Sequence, residues 1–333
     1  MTEPAVRLSV LIVCYRSRET IGRVMAALEA QTLRPAEILV LESGSPPGER
    51  VSADQLPPNA RLIESAVNHG FAAGNNLLAR EASGDWLVLL NPDAFPEPDW
   101  LERLLAATTR WPEAAVFGST QRAYGTPGVL DGAGDVYHAS GVPYRAGYGR
   151  RMDPPPEGEV FAPCGAAMMI RRDLFEALGG FDEDYFCYVE DVDLAFRARI
   201  LGHRAVQVRD AVVEHMGYAS SGRRSHFATY HGARNRLWTF LKNMPWPLLV
   251  LLAPVHALAT LALWISAARI GQFALFGRAI RHGLAAWPRI MQKRREIQER
   301  RRVSALAVAR MMAWNPLRLF TRSPHVRHPR NGL

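Results

Sequence analysis

The sequence has few of the features that mark several common protein classes. Its 333 residues include three cysteines, Cys14, Cys164 and Cys187, too few and too scattered for a disulfide framework or a paired Cys-x-x-Cys metal site. No Gly-x-Gly-x-x-Gly follows the first predicted strand, and no Gly-x4-Gly-Lys-Ser/Thr occurs, which argues against nicotinamide enzymes and P-loop ATPases. Nothing near Met1 resembles a secretory leader. We therefore expect a protein of the reducing cytoplasm.

Acidic residues are scarce in the last quarter of the chain. Residues 240–333 contain 16 Lys and Arg but only two acidic residues, a net charge of +14. Residues 1–239 contain 24 basic and 30 acidic residues, a net charge of −6. The overall +8 therefore hides two parts that we expect to face different partners. We call them the body, residues 1–240, and the C-terminal region, residues 241–333.

Charged residues are also absent from 26 consecutive positions between Lys242 and Arg269. A helix of that length would cover about 39 Å, enough for a bilayer core of about 30 Å. Three prolines and His256 interrupt the run, so a tilted span, a re-entrant hairpin, an in-plane helix and a buried core helix all stay open. The Arg and Lys clusters and the Trp residues that follow favour an anionic membrane surface over nucleic acid as the partner.

The body alternates between strand and helix patterns. Helix-like segments follow several short apolar runs, and turn residues close them, which predicts a mostly parallel sheet with ligands at the carboxyl ends of its strands. One helix is expected around Ile21–Leu28, and another, which accompanies the segment Gly70–Asn76, is expected to end at about Ala82. The strands are expected at Leu8–Cys14, Glu37–Leu41, Ala60–Ile63, Asp85–Leu90 and Ala205–Val213.

Carboxylates that could carry chemistry occur at two places. Asp93 closes Leu89-Leu-Asn-Pro-Asp93 at a strand end, where it could hold a divalent cation against a diphosphate or simply belong to a turn. A helix predicted to begin near Glu190 and end at Gly202 has Glu190, Asp191 and Asp193 in its first turn. These acids could include a general base, or they could complement the helix dipole.

Weaker candidates accompany them. His215 follows a predicted strand and could be a metal ligand, although an ordinary loop histidine is the favoured interpretation. Arg234, Asn235 and Arg236 could hold phosphate or form a solvated helix face. Cys14 and Cys164 are expected to pack rather than react.

An ordered set of motifs resembles the family 2 glycosyltransferases, inverting enzymes of the GT-A fold that use nucleotide-diphosphate sugars. The set runs from about Leu8 to Asn243 and looks most like the rhamnosyltransferase-like branch, whose members extend glycans on polyprenyl-diphosphate carriers. Its members are Ser9–Tyr15, Leu39–Ser45, Asn68–Asn76, Leu89–Asp93, Cys164–Arg172, Gly179–Glu183, Glu190–Leu194 and Arg234–Asn235.

The resemblance implies a role for each matching residue. Asp191 would be the catalytic base, with Glu190 beside it in the acceptor site. Asp93 would bind Mg or Mn at the donor diphosphate, and His215 is carried as a second candidate metal ligand. The candidate donor-binding residues are Tyr15 and Glu42 at the base, Asn75 near the ribose or diphosphate, Gly165 and Ala166 at the sugar, and Ser43 in the same motif as Glu42.

The resemblance also implies a reaction. The donor would be dTDP-rhamnose or a UDP-sugar, and the acceptor a polyprenyl-diphosphate-linked saccharide of cell-wall or surface-polysaccharide synthesis. The enzyme would work at the cytoplasmic face of the cell membrane, with its C-terminal region associated with that membrane. Three other hypotheses are a UDP-hexose transferase, a nucleotidyltransferase, which the absent Gly-rich, Lys-containing loop disfavours, and a catalytically silent nucleotide-sugar-binding protein.

Overall fold

A ten-stranded mixed sheet forms the centre of the protein. The computed structural model describes residues 6–217 and 225–327, and every statement about contacts refers to these residues. The main path of the sheet has the order β10-β12-β6-β11-β4-β1-β2-β3, with β5 and β7 paired at its side, while β8 and β9 form a separate hairpin. The strands are β1 Leu8–Cys14, β2 Glu37–Ser43, β3 Ala60–Ser65, β4 Trp86–Leu90, β5 Ala94–Pro96, β6 Ala114–Ala123, β7 Leu130–Gly132, β8 Asp135–Tyr137, β9 Pro143–Arg145, β10 Gly158–Glu159, β11 Ala167–Arg171 and β12 Arg204–His215.

Helices cover both faces of this sheet and continue as an all-helical C-terminal region. The body contains α1 to α5, α6 crosses the boundary at residue 240, and the remaining helices follow it. Their bounds are α1 Arg18–Glu29, α2 Gly70–Glu81, α3 Trp100–Arg110, α4 Arg172–Ala177, α5 Glu190–Ile200, α6 His226–Asn243, α7 Trp246–Ala268, α8 Phe273–Ala285, α9 Trp287–Glu299, α10 Ala305–Met311 and α11 Leu317–Thr321.

The apolar pattern of the central strands explains why the sheet has two buried faces. In β1, Val10 and Ile12 point into the layer under α1 and α3, whereas Leu11 points into the layer under α2, α4 and α5. Such alternation, with apolar residues on both faces, is typical of parallel strands covered by helices. The strand pairs β4–β1, β1–β2 and β2–β3 are indeed parallel, as the strand and helix pattern predicts.

Not every strand of this sheet runs in the same direction. Strand β11 runs antiparallel between β4 and β6, while β12 is parallel to β6. The antiparallel direction brings the start of β11 to the edge where β4 ends. The N–H of Asn91, just after β4, accordingly donates to the carbonyl of Ala166, just before β11, at 2.8 Å. The loop at Gly165 therefore lies beside the end of β4.

The C-terminal region shares a core with the body. One apolar cluster joins Tyr137 and Phe196 of the body to Phe240 of α6, Leu252 of α7 and Met312 after α10. Helix α6 runs through the predicted boundary at residues 240 and 241, so the division into two domains stays a prediction.

Helix α7 is the one helix in residues 6–217 and 225–327 that is long and apolar enough to cross a membrane. Only 17% of its most apolar 18-residue stretch is buried within the protein. Its outward side presents large apolar residues, among them Leu251 at 65% and Leu258 at 68% exposure. Pro254 lies within this helix, and Trp246 is its first residue.

Candidate active site

A cleft of about 500 Å³ opens at the carboxyl ends of β1 and β4. Tyr15 and Ser17 line it after β1, and Asn91, Pro92 and Asp93 line it after β4. Ligands bind at this edge in open parallel sheets because the loops there face one crevice. Its other walls come from Val13, Arg16, Thr20, Asn68, Gly70, Phe71, Arg145, Phe186, Cys187, Tyr188, His215 and Phe227.

Asp93 and His215 meet at the floor of this cleft. The Nε2 atom of His215 lies 3.3 Å from Oδ1 of Asp93 and 3.4 Å from Nδ2 of Asn91. The interpretation of His215 as a loop residue is wrong, because His215 is the last residue of β12 and is 4% exposed. Pairing of β12 with β5 sets His215 directly opposite Ala94, so the side chain meets the Asn-Pro-Asp segment.

The second nitrogen of His215 is held by a carboxylate. Its Nδ1 lies 2.7 Å from Oδ2 of Asp131, which also pairs with Arg145. A histidine whose Nδ1–H donates to a carboxylate presents Nε2 toward a metal, the usual arrangement around metal-ligating histidines. Burial alone would lower the pKa of His215, but the hydrogen bonds to Asp131 and Asp93 raise it to about 9. The carboxylate of Asp93 suits Mg or Mn, and a cation at Nε2 of His215 would displace the proton that the raised pKa leaves on the ring, so metal binding here would be coupled to proton release.

Asp191 lies in the first turn of α5 beside the start of β11. Its Oδ2 accepts a hydrogen bond of 2.8 Å from the N–H of Gly165, and its Oδ1 accepts one from the N–H of Val192. A Cβ on Gly165 would lie 3.2 Å from the Cβ of Asp191, so glycine permits this close approach. Burial raises the pKa of Asp191, against the opposing effect of these two N–H groups.

Asp135 and Cys164 lie beside Asp191, and neither was predicted to take part in the site. Ligand atoms of Asp135, Cys164 and Asp191 all lie within 4.8 Å of one another. Burial and the charge of Asp191 raise the pKa of Asp135 to about 8, and burial raises the pKa of Cys164 to about 12. A protonated thiol is a poor ligand for Mg or Mn, so the Asp93–His215 pair is the better candidate metal site. Asp131 and Asp135 flank the tripeptide Gly-Ala-Gly, and this pair of nearby carboxylates is the sequence signal that could have marked them as site residues.

Glu190 adjoins Asp191 but has a different environment. It is 5% exposed, and its Oε2 has no hydrogen-bond partner among the described residues. Burial, together with the charge of Asp191, holds the pKa of Glu190 well above its usual range. A carboxyl group in such surroundings favours its neutral form, which can donate a hydrogen bond.

The segment before α5 is held in an unusual backbone conformation. Phe186, Tyr188 and Val189 have φ values of 64°, 71° and 71°, which are rare for residues with side chains. The Nδ2 of Asn235 donates to the carbonyls of Tyr185, Cys187 and Tyr188 at 2.8–2.9 Å. The Arg234–Asn235 motif thus shapes the cleft wall, because Arg234 also donates to the carbonyls of Asp184 and Tyr185.

The predicted donor-binding residues divide into two groups. Tyr15 lines the cleft, whereas Glu42, Ser43 and Asn75 are buried beside it and are not among the lining residues. The two oxygens of Glu42 accept the N–H groups of Ser45 and Val51 at 2.8 and 2.9 Å. Ser43 Oγ accepts the N–H of His69, and Asn75 Nδ2 donates to the carbonyl of Phe71.

Solved structures share this architecture. A mannosyltransferase from Pyrobaculum calidifontis, solved with GDP-Man and Mn²⁺, matches with a TM-score of 0.50 and 20% identity over 92% of this chain and 87% of its own. The structure of GalNAc-T7 with UDP, GalNAc and Mn²⁺ matches with a TM-score of 0.55 and 15% identity, and this chain spans 48% of it. The fold, a mixed sheet with a cleft at the ends of its parallel strands, is the GT-A fold of glycosyltransferases.

Sequence comparisons narrow that class to one family. The family model of glycosyl transferase family 2 matches residues 9–179. An N-acetylglucosaminyl-diphospho-decaprenol L-rhamnosyltransferase of Mycobacterium tuberculosis is 32% identical over 257 residues, which cover 67% of this chain and 81% of that protein. The chain therefore belongs to glycosyl transferase family 2, as its motifs indicated, and resembles a rhamnosyltransferase within it.

Proposed function

We propose that this glycosyltransferase moves a sugar, with rhamnose the first choice, from a nucleotide diphosphate to a lipid-linked saccharide, inverting the anomeric centre. The observation that carries the proposal is one loop in a family 2 chain: Gly165 donates to Asp191, and the next residue, Ala166, accepts from Asn91 beside the Asp93–His215 pair. The decaprenol-linked acceptor and rhamnosyl specificity in the name of the mycobacterial relative support the choice of substrates.

The donor is proposed to lie along the cleft from Tyr15 to Asp93. Tyr15 contacts the base, while Glu42, Ser43 and Asn75 position the backbone of the walls behind it. Asp93 and His215 would hold Mg or Mn, and such a cation, when bound, neutralises charge on the leaving diphosphate. Arg16 and Arg145 also line the cleft and add positive charge where the diphosphate would lie.

Asp191 is proposed to act as general base. The N–H of Gly165 fixes Oδ2, so the carboxylate keeps one orientation while it takes the proton from the acceptor hydroxyl. Attack on the face opposite the diphosphate completes the transfer in one displacement, and no protein nucleophile is required. Glu190 lies next to this base at the acceptor side, and Gly165 and Ala166 allow the donor sugar to approach the backbone.

Membrane association is part of the proposal. The outward apolar side of α7 would enter the bilayer, and the exposed basic residues Arg278 and Arg281 of α8 and Arg295 of α9 would face anionic headgroups. Lys and Arg beside an apolar segment favour the cytoplasmic side of a membrane. The body would then meet nucleotide sugars in the cytoplasm and lipid-linked acceptors at the surface.

The test is a transfer assay with the purified full chain. Radiolabelled dTDP-rhamnose and UDP-hexoses are offered with a GlcNAc-diphospho-prenol acceptor and Mg or Mn. Transfer from dTDP-rhamnose that EDTA abolishes, with inverted anomeric configuration by NMR, supports the proposal. Transfer from a UDP-hexose alone would replace rhamnose with that sugar. Donor binding without any transfer or hydrolysis would favour a silent binding protein.

A further inference from the structure

A second cavity lies between the body and the first C-terminal helices. It has a volume of about 500 Å³ and lies among α6, α7, α8 and the tip of the β8–β9 hairpin. Its lining in the described part of the chain contains two arginines, Arg236 and Arg269, and no Asp or Glu. Most of the other walls are small or apolar, including Ala233, Leu263, Ala267 and Phe276.

Arg236 is the residue that makes this cavity unusual. Only 8% of Arg236 is exposed, and its Nε and Nη2 atoms have no hydrogen-bond partner among the described residues. Its guanidinium lies 5.7 Å from the ring centre of Phe276. Burial lowers the pKa of Arg236 to about 10. A buried cation without an anionic partner costs free energy, so binding of an anion in this cavity would be favourable.

The cavity also adjoins the proposed catalytic base. Val189 lines it, and Val189 is the residue directly before Glu190 and Asp191. The preceding residues, Cys187 and Tyr188, line the donor cleft instead. One short segment, which Asn235 holds by three hydrogen bonds, therefore separates the two cavities. The cavity therefore borders the segment that leads into Glu190 and Asp191.

The walls of the cavity lead toward the exposed apolar side of α7. Leu263 and Ala267 of α7 line the cavity, and Leu261 and Ile265 of the same helix are 50% and 53% exposed. An anionic head in the cavity could thus be joined to an apolar chain lying along α7. This combination describes a lipid with a phosphate head rather than a free nucleotide.

We propose that Arg236 and the cavity around it bind the diphosphate of the lipid-linked acceptor, with the lipid chain along α7 and the sugar directed toward Asp191. This inference rests on the proposed function, because it names where the acceptor of that reaction binds. Phosphate oxygens suit Arg because its fixed N–H groups match them in pairs. A phospholipid headgroup shares this chemistry and is the competing source of the phosphate.

The first experiment measures binding without turnover. The full chain in uncharged detergent is titrated calorimetrically with farnesyl diphosphate, and Arg236→Met is compared with wild type. We expect the Kd of the variant to rise at least about tenfold, the usual scale for a charged hydrogen bond to an anion. Arg209→Met, a change of an exposed arginine on β12, serves as the matched control and should leave the Kd within about twofold.

A second variant protects the test against a folding artefact. Gly232 lines the cavity, and a Cβ built there meets no atom within 4 Å, so Gly232→Leu adds side-chain volume to the cavity while the charge of Arg236 is kept. We expect it to raise the Kd for farnesyl diphosphate at least about tenfold too, because it occupies the volume of the ligand. Binding of dTDP or UDP should be unchanged in both variants. Wild-type affinity for farnesyl diphosphate in both variants would overturn the proposal.

Two further arms distinguish the sources of the phosphate. In the transfer assay, Arg236→Met should raise KM for a GlcNAc-diphospho-farnesyl acceptor but not for a GlcNAc alkyl glycoside, which has no phosphate. Flotation with phosphatidylglycerol vesicles should be unchanged. Loss of flotation with normal farnesyl diphosphate binding would make this a headgroup site and overturn the acceptor assignment. Failure of wild type to transfer any sugar would refute the proposed function. The calorimetric titration would still show whether the cavity binds a lipid diphosphate.

Discussion

The N–H of Gly165 donates a 2.8 Å hydrogen bond to Oδ2 of Asp191. The bond joins the loop before β11 to the first turn of α5, two segments 26 residues apart in sequence. Since β11 runs antiparallel to β4, the same loop also contacts Asn91 beside Asp93. The proposed base and the proposed metal site are thus tied to one loop, which gives the acceptor and donor sides of the cleft a common support.

Asp191→Asn should lower kcat about 100- to 10,000-fold, the range for loss of a general base. The amide preserves the shape of the side chain but cannot accept the proton of the acceptor hydroxyl. Donor binding, measured by calorimetry with dTDP, should stay within about twofold of wild type. Asp173→Asn, at a carboxylate whose side chain is 69% exposed, is the control. Full turnover by Asp191→Asn would remove it as the base.

Glu190→Gln should have a much smaller effect than the change at its neighbour. Burial and the charge of Asp191 raise the pKa of Glu190, which favours its neutral form, and glutamine imitates that form. We expect kcat/KM to stay within about threefold of wild type, since a neutral donor is preserved. A loss as large as that of Asp191→Asn would show that Glu190 works as an anion.

The positions of residues in regular strands and helices were predictable from the periodicity of apolar residues in the sequence. Strand β1 has the predicted bounds, and α2 ends at Glu81, next to the predicted Ala82, because apolar periodicity and turn residues dominate there. Asp93 follows β4 directly, so its position at the cleft was accessible to the same reasoning. The family and the GT-A fold were recognisable from ordered motifs, and the comparisons confirm both.

The remaining site residues depend on long-range pairing that no local pattern encodes. Asp131 and Asp135 belong to three-residue strands, too short for a periodic signal, and pairing with β6 and β9 brings them beside His215 and Asp191 respectively. The direction of β11 has no local signature either. Arg236 sits in a helix whose polar residues resemble a solvated face, yet tertiary packing buries it.

Changes at the Asp93–His215 pair should weaken metal binding in a graded way. His215→Gln and Asp93→Asn each remove a proposed ligand. Asp131→Asn only loosens the ring of His215, so it should raise the Mn²⁺ concentration for half-maximal binding by about 10- to 100-fold. Electron paramagnetic resonance of free Mn²⁺ in the presence of dTDP measures this without turnover. Asp153→Asn, at an exposed position, is the control, and unchanged Mn²⁺ affinity in both ligand variants would refute the site.

Asp182→Asn should destabilise the contact between the body and the C-terminal region. Asp182 pairs with Lys242, which is 1% exposed and also lies 2.8 Å from Asp193, and with Lys293 of α9. Removing one member of a buried ionic network leaves charge uncompensated, so the free energy of unfolding should fall by about 3 kcal/mol. Urea unfolding followed by Trp fluorescence measures this, with Asp153→Asn as the control.

The same carboxylate sets a pH dependence of stability. Burial would raise the pKa of Asp182, but Lys242 and Lys293 lower it to about 2, below its ordinary 3.8. A depressed pKa stabilises the fold above pH 3.8, and this contribution is lost as the pH falls toward 2. Asp182→Asn should therefore lose less stability than wild type over that interval. Parallel pH curves for the two proteins would contradict the role of this network.

The outward side of α7 should determine membrane binding. Leu251 and Leu258 are more than 60% exposed, and each buried leucine contributes about 1.5–3 kcal/mol, so Leu251→Glu with Leu258→Glu should lower partitioning into phosphatidylglycerol vesicles at least tenfold. Deletion of residues 244–333 is less informative, because it also removes Met312 from a shared core. Leu306→Glu, at a 59% exposed leucine on α10, is the matched control. Binding of dTDP should persist in both proteins, and unchanged flotation of the α7 variant would place the membrane contact elsewhere.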